Sequence, residues 1–259
     1  MKKAILLGAG LAVLSLPGMA NALGIEVAVG GWQQSPQGTI AYKPLTADNS
    51  IDLEKEAGYQ DETRVMGRAK IDMPLFLPNI YLMATPMQFE ATGRKTTDFW
   101  FGNQKFTAGI DFYSELVLDH YDVGLYYGIP FIETLTAKTL AAELGIDFRI
   151  MDISARVRQD AQGFDESVSE TIVMPMVYAA LKVRPTKWLA VEVEARGIAY
   201  NANHYYDYIG RIKFSPLPTP MRSLFIAGGW RYEDVAIDEK DIKAEVKFSG
   251  PFLEAGVDF

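Results

Sequence analysis

The chain of 259 residues has no cysteine. That excludes disulfides, thiolate zinc sites, iron–sulfur clusters, a cysteine nucleophile and a lipid-modified cysteine. Histidine is nearly absent as well, with only His120 and His204. No run in the chain reaches the roughly 20 consecutive apolar residues that each helix of a multi-helix membrane protein needs. There is no basic excess either. Lys and Arg total 25 against 33 Asp and Glu, for a formal net charge of −8. No net basic field therefore exists to hold nucleic acid. What is present looks ordinary: 49% of residues are hydrophobic and the mean hydropathy is +0.01. These values exclude intrinsic disorder and collagen-like repetition. Composition alone describes an average soluble globular protein.

The order of the residues says otherwise. Lys2 and Lys3 form a basic start, Ala4 to Leu16 is an uncharged apolar run, and Pro17-Gly18 breaks it. Ala20-Asn21-Ala22 then supplies a small-residue cleavage signature, so residues 1–22 read as a secretory signal peptide cleaved after Ala22. The apolar run is too short to span a bilayer as a helix. Cleavage would leave residues 23–259 as one exported domain and raise the net negative charge by removing two lysines.

Beyond the leader the pattern has period two. Leu189, Val191, Val193, Ala195, Gly197 and Ala199 alternate with Glu192, Glu194, Arg196 and Tyr200. Val65, Gly67, Ala69 and Ile71 alternate with Arg64, Arg68, Lys70 and Asp72. Leu144, Ile146, Phe148 and Ile150 alternate with Glu143, Asp147 and Arg149, and the phase blurs after Met151. Tyr206, Tyr208, Gly210, Ile212 and Phe214 alternate with Asp207, Arg211 and Lys213, and Leu253, Ala255, Val257 and Phe259 with Glu254, Gly256 and Asp258. Successive strand side chains point to opposite faces, so each segment has one apolar and one charged face.

The connections alternate in character. Met73–Asn79, Pro130–Lys138, Arg184–Lys187 and Ser215–Met221 are compact and mostly Pro-bearing, as periplasmic turns tend to be. Ser35–Glu62, Gly93–Lys105, Asp160–Glu170, Asn201–His204 and Glu233–Asp241 are polar, Gly-containing or charged, and suit an outer side. Five outer loops and four inner turns predict an all-β fold, an antiparallel up-and-down transmembrane barrel of ten strands. The spans read 24–34, 63–72, 80–92, 106–118, 141–158, 171–183, 188–200, 205–214, 222–232 and 243–259. Within Phe106–Phe131, His120-Tyr121-Asp122-Val123 reads equally as a tight turn or as mid-strand; a turn would give twelve strands, and merging weak neighbours eight.

An exported β-sandwich would also alternate, but its strands are commonly about 5–6 residues long. Segments such as 188–200 and 243–259 are longer, and a tilted membrane crossing needs strands of about 9–11 residues. Phe259 ends the chain on an apolar face. A C-terminal aromatic on an alternating strand resembles the signal read by the bacterial barrel-assembly machinery, which makes that machinery and outer-membrane lipid with lipopolysaccharide the expected partners.

The start of the mature chain is Leu23-Gly24-Ile25-Glu26-Val27-Ala28-Val29-Gly30-Gly31-Trp32-Gln33-Gln34-Ser35-Pro36-Gln37-Gly38. Together with Ile51-Asp52-Leu53, Asp122-Val123-Gly124-Leu125-Tyr126-Tyr127 and Ala227-Gly228-Gly229-Trp230-Arg231-Tyr232, it resembles a small proteobacterial outer-membrane barrel family named for a Gly-Gly pair near its start. The resemblance spans essentially the whole mature chain. It implies location and fold and brings no catalytic residues.

Independently of that resemblance, Gly30-Gly31 and Gly228-Gly229 remove side chains within strands, permitting a bend or close packing. Amphipathic aromatics concentrate at membrane interfaces. Trp32, Tyr200, Tyr205, Tyr206, Tyr208, Trp230 and Tyr232 suit an outer belt, and Tyr81, Tyr126, Tyr127, Trp188 and Phe259 an inner one.

The charged faces point to the barrel interior, carrying Arg64, Arg68, Lys70, Glu143, Asp147, Arg149, Glu192, Glu194, Arg196, Arg211, Lys213, Arg231, Glu254 and Asp258. Closing the last strand on the first sets Glu254 and Asp258 near Glu26, and Arg64, Arg68 and Lys70 from the second strand would neutralise them. Eight strands are just filled by side chains and sixteen leave an aqueous channel, so ten with many long charges predict a narrow or plugged lumen. The expected function is structural, or a narrow passive pore for small solutes.

The alternative is a surface enzyme acting on lipid or peptide. Such chemistry needs a histidine beside a carboxylate and a nucleophile or activated water. Asp119 and His120 are adjacent and would face opposite sides of a strand. His204, with Asp207 and Ser167 or Ser169, is the one surface constellation on offer, and no spacing singles it out, so no catalytic residue, cofactor or metal is assigned. In the long first loop, Asn49-Ser50 would cap a short helix over Ile51–Ala57 stopped by Gly58. The acids of that helix, with Asp61 and Glu62, offer divalent cations a solvated site. No Ca²⁺-loop or Walker motif occurs.

Overall fold

Alternation becomes geometry in strands buried on one side and exposed on the other, with the apolar set outward. Val29, Val65, Leu144, Ile146, Val177, Val193, Ile212 and Leu253 are all exposed. The computed structural model describes residues 24–46, 49–74, 76–216, 223–239 and 241–259. The expected signal peptide over 1–22, residues 217–221 of one expected turn and residue 222 at the start of one expected strand lie outside the described residues.

The strands are β1 (Gly24–Tyr42), β2 (Ile51–Asp52), β3 (Glu62–Asp72), β4 (Asn79–Thr85), β5 (Gln88–Arg94), β6 (Phe99–Phe101), β7 (Gln104–Phe106), β8 (Asp111–Gly128), β9 (Leu140–Gln159), β10 (Phe164–Thr186), β11 (Leu189–Tyr200), β12 (Asn203–Phe214), β13 (Ser223–Glu239) and β14 (Ile242–Asp258). An α-helical turn, α1 (Ile132–Leu135), and a 3₁₀ turn, Asp160–Gln162, interrupt them. Neighbours in sequence pair antiparallel around the sheet, and β14 closes on β1 with Glu26 opposite Asp258 and Val27 opposite Val257. Beyond β14, Phe259 exchanges backbone bonds with Ile25 at 2.9 and 3.3 Å, extending the seam to the last residue.

The closed barrel has ten staves, because β4 and β5 form one. Pro86 removes an N–H donor between them, yet the register runs on: Thr85 faces His120 and Gln88 faces Val117 on β8. The Asp119 carboxylate accepts the Met87 N–H at 2.8 Å across the break. β2 lies against β1, and the β6–β7 hairpin stands apart from the barrel sheet.

His120–Val123 is mid-strand in β8, which removes the eight- and twelve-strand alternatives and moves the strand read at 106–118 to Asp111–Gly128. Staves also run further on the outer side than the reading placed them. Residues 35–42, 164–170 and 233–239, read as loop, continue β1, β10 and β13. Past the apolar belt the outward face turns polar, so the alternation that marks a strand disappears while the ladder persists.

Four belt assignments are overturned. Trp32, Tyr81, Tyr126 and Tyr205 are buried within the barrel. Trp32, Tyr126 and Tyr205 each sit at an even step from an inward charge on their own strand (Glu26, Asp122 and Asp207), and the pleat therefore turns them inward. Tyr81, on a strand without charges, stands opposite inward Lys70 in the register. Tyr127, Trp188, Tyr208 and Trp230 do face outward, while Tyr200 is exposed at the end of its strand. In the first loop the cap is Asp52, not Asn49-Ser50. Its Oδ1 accepts the Glu54 and Lys55 N–H groups at 3.1 and 2.9 Å, and the result is a turn rather than a helix. Ile51 and Leu53 are buried.

Candidate functional site

The interior is filled in tiers. At the end bearing α1, Glu26 is held by Arg68 Nη1 at 2.6 Å and Lys213 Nζ at 2.5 Å. Lys182 pairs with Glu192 at 2.6 Å. Lys70 pairs with Glu143 at 2.8 Å, lies 3.8 Å from Glu194, and sits 5.3–5.8 Å from the ring centroids of Tyr81, Tyr126 and Tyr178. Of these groups, Glu26, Lys70, Tyr126, Glu143, Lys182 and Glu192 line a polar vestibule of about 400 Å³ at that mouth.

One step up, Arg68 grips both oxygens of Glu254 at 2.8–3.2 Å. Arg211 bridges Glu192 at 3.2 Å and Glu194 at 2.7 Å, while Arg196 joins Glu194 at 2.9 Å to Asp147 at 3.1 Å.

The next tier seals the barrel. Arg149 makes a two-pronged pair with Asp122 at 2.6 and 2.8 Å and reaches Asp207 at 2.6 Å. Arg231 bonds Asp207 at 2.8 Å, Glu233 at 2.6 Å and the Thr85 hydroxyl at 2.8 Å. His120 Nε2 lies 3.2 Å from Arg231 Nη2 and 3.3 Å from Glu233, with Nδ1 3.1 Å from the Leu118 carbonyl. Three guanidinium groups stack on aromatic faces: Arg196 on Tyr81 at 4.5 Å, Arg149 on Tyr205 at 4.6 Å and Arg231 on Trp32 at 4.7 Å. Planar, weakly hydrated arginine suits such sites better than lysine. Asp122, Asp147, Arg149, Arg196, Asp207, Arg231 and Glu233 each expose 1% or less of their surface.

Above that tier the interior turns apolar. Phe89 stacks on Phe248 at 5.4 Å and Phe99 on Phe106 at 5.2 Å. The β6–β7 hairpin closes the mouth, tied down by the Gly102 N–H to the Tyr42 carbonyl at 2.9 Å and the Asn103 N–H to Glu166 at 3.2 Å. Near the hairpin, Lys105 and the Ala108 N–H hold the Asp98 carboxyl below its usual range. The blurred phase after Met151 has its cause here: inward residues become apolar while outward ones lose their apolar character.

The residues expected in the lumen divide as follows. Glu26, Arg68, Lys70, Glu192, Glu194, Arg196, Arg211 and Glu254 lie in the network just described, and Asp258 touches it only at 3.7 Å from Lys213. Arg64 is elsewhere. It stands opposite Trp32, well above Glu26 in the register, and donates to the Gln88 carbonyl at 2.7 Å. The expected neutralisation of Glu26 therefore uses Arg68 and Lys213, while Lys70 turns to Glu143. The reading missed Asp122 and Glu233 as lumen groups because it placed the first in an uncertain segment and the second in a loop, and it left His120 open between loop and lumen. For Glu233, parity with Arg231 on the same strand was the signal available.

His204 faces outward, stacked on Tyr206 at 5.0 Å and 3.4 Å from Asp234, whereas Asp207 points into the lumen. The barrel wall separates them, so the His204–Asp207 constellation is not assembled. Of the loop-one acids, Glu56 is taken by Lys95 at 2.7 Å and Asp52 by its capping role. Among the described residues no group of three or more acidic or histidine side chains could hold a metal.

No family model matches the chain, and no curated protein does. Among solved structures it is similar to the outer membrane protease OmpT from Escherichia coli, with TM-score 0.51 and 10% identity over 95% of this chain and 98% of that one. Weaker likenesses are to Ail, the attachment invasion locus protein of Yersinia pestis (TM-score 0.33, 12% identity, 92% and 99% covered), and to a FadL homologue of Pseudomonas aeruginosa (TM-score 0.31, 6% identity, 92% and 90% covered). At 10% identity the likeness to the protease is one of fold alone: the chain has the architecture of a closed outer-membrane β-barrel.

Proposed function

We propose that the protein is an integral outer-membrane barrel of a Gram-negative bacterium with a structural role, its lumen closed rather than conducting. The observation that carries this is the sealing tier of Asp122, Arg149, Asp207, Arg231 and Glu233, wholly buried between the polar vestibule and the apolar outer half. An aqueous path would need those paired charges to part. Each buried pair separated leaves uncompensated charge in low dielectric. The apolar outward faces suit surrounding lipid and lipopolysaccharide. Export through the signal peptide and assembly through the strand ending at Phe259 complete the reading. It assigns no catalysis.

The test is planar-bilayer recording on the refolded mature chain. The expected result is electrical silence under conditions in which a known porin gives steps. Regular unitary conductance from the wild type would sink the closed-lumen reading and restore the narrow pore. Membrane embedding is tested separately. Val193 is outward and exposed in mid-strand, so Val193→Arg should destabilise the vesicle-embedded barrel by about 2–4 kcal/mol, the cost of a cation near the bilayer midplane. Equal urea midpoints for variant and wild type would contradict it.

A further inference from the structure

The wall has a gap. β10 and β11 pair from Thr186 opposite Leu189 up to Val177 opposite Gly197, where the ladder stops. In the sheet, β10 runs on from Met176 to Phe164 paired only with β9. The β11–β12 hairpin turns back at once, with Tyr200 opposite Asn203, while β13 continues past Ala236 to Glu239 against β14. A short hairpin thus stands between two long staves, leaving a notch above it. The inward residues beside the notch, Val168, Ile172 and Met174 on β10, Ile198 on β11 and Ile237 on β13, are apolar and only partly buried. The outward face carries exposed Val177 and Tyr208 at the sill of the notch and Val173 along its β10 edge, so the apolar belt reaches the opening.

Behind the notch lies a cavity of about 50 Å³ whose wall includes Ile40, Leu118, Met151, Val168 and Ile237. A bound water needs roughly 10–15 Å³ and two to four polar partners. The volume suffices, but the lining side chains offer only the Tyr42 and Tyr205 hydroxyl groups, and Tyr205 already donates to Glu233 at 2.8 Å. A space of this kind stays dry and favours an apolar occupant. The sealing tier beneath it blocks passage onward. We infer that this chamber is a binding site for the end of a slender alkyl chain, entered sideways through the notch between β10 and the β11–β12 hairpin. The chain belongs either to a lipid of the surrounding leaflet or to a free single-tailed amphiphile.

The inference rests on the membrane-embedded reading, and photolabelling tests the two separately. The mature chain is refolded into phosphatidylcholine vesicles carrying one of two probes: dodecanoic acid with a terminal diazirine, or phosphatidylcholine with a diazirine at the end of one acyl chain. Labelled residues are located by peptide mass spectrometry after irradiation. Insertion on Leu118, Met151 or Val168 is expected alongside insertion on outward Val173 and Val177. Chamber labelling from the phospholipid probe identifies a bilayer lipid as the source, and from the acid alone a free amphiphile. Ala244→Trp, which fills the chamber from its wall, should abolish chamber labelling and leave outward labelling unchanged. Val168→Trp replaces it if Ala244→Trp does not show heat-modifiable migration. Outward labelling alone, from both probes, overturns the alkyl site while the membrane reading stands. Absence of outward labelling overturns the membrane reading itself.

Discussion

Replacing Arg149 with Met should destabilise the barrel by about 3–5 kcal/mol, the range seen when one partner is removed from a buried ion pair. Asp122 has no other ion-pair partner among the described residues, so its carboxylate would be stranded at 1% exposure. Asp207 fares better because Arg231 still holds it at 2.8 Å, and Glu233 keeps both Arg231 and the Tyr205 hydroxyl. The loss should therefore be concentrated on one group and be curable. Arg149→Met/Asp122→Leu removes both charges and keeps volume, and substitution of a buried pair by apolar residues of similar size is often neutral or stabilising. Equilibrium urea unfolding in vesicles reads both. A single variant as stable as wild type would show that water reaches the tier, and a double variant as weak as the single would show that packing, not charge, is at stake.

The two Gly-Gly pairs should split into one demanding and one tolerant member each. A Cβ on Gly30 would stand 2.2 Å from the Leu253 carbonyl oxygen and 2.7 Å from Glu254 Cα, whereas on Gly31 its nearest neighbour is 3.5 Å away. On Gly229 it would meet the Gly210 carbonyl at 2.0 Å, and on Gly228 nothing nearer than 3.6 Å. The demanding positions face the lumen, where the closing staves crowd one another: Trp32 donates to the Gly250 carbonyl at 3.2 Å. Gly30→Ala and Gly229→Ala should each cost at least the 1–3 kcal/mol typical of overpacking, with loss of the folded band in heat-modifiable migration. Gly31→Ala and Gly228→Ala should stay within about 0.5 kcal/mol of wild type. Four equal effects would mean that the pairs act through backbone flexibility instead of close approach.

Those pairs also show where reading along the chain reaches its limit. Gly30-Gly31-Trp32 and Gly228-Gly229-Trp230 look alike, yet Trp32 is buried in the lumen and Trp230 is more than half exposed outward. Phase relative to a charge on the same strand separates them: Trp32 is an even number of residues from Glu26, Trp230 an odd number from Arg231. The same parity would have brought Tyr126 and Tyr205 inside, whereas Tyr81 lies on a strand with no charge to set its phase. Type alone could not, since tyrosine serves in a belt and over a guanidinium equally well. Asp122 and Glu233 were lost for a different reason. Their segments run through the change from lipid-facing to solvent-facing wall, where the outward residues stop being apolar and period two fades.

Period two with charged residues on one face, segments too long for a sandwich and turns of two alternating kinds are local properties, and they were sufficient for an antiparallel barrel of ten staves. Parity along each strand decided which residues share a face, because pleating is obligatory. Which charges meet was not local. Arg68 reaches Glu254 across 186 positions of sequence and Lys213 reaches Glu26 across 187, through the closure of β14 on β1. The stagger of the staves sets the height of each charge. It puts Arg64 above the network and leaves β10 longer than β11, opening the notch. Pairing inside a closed barrel depends on height and circumference together, and only the folded sheet supplies both.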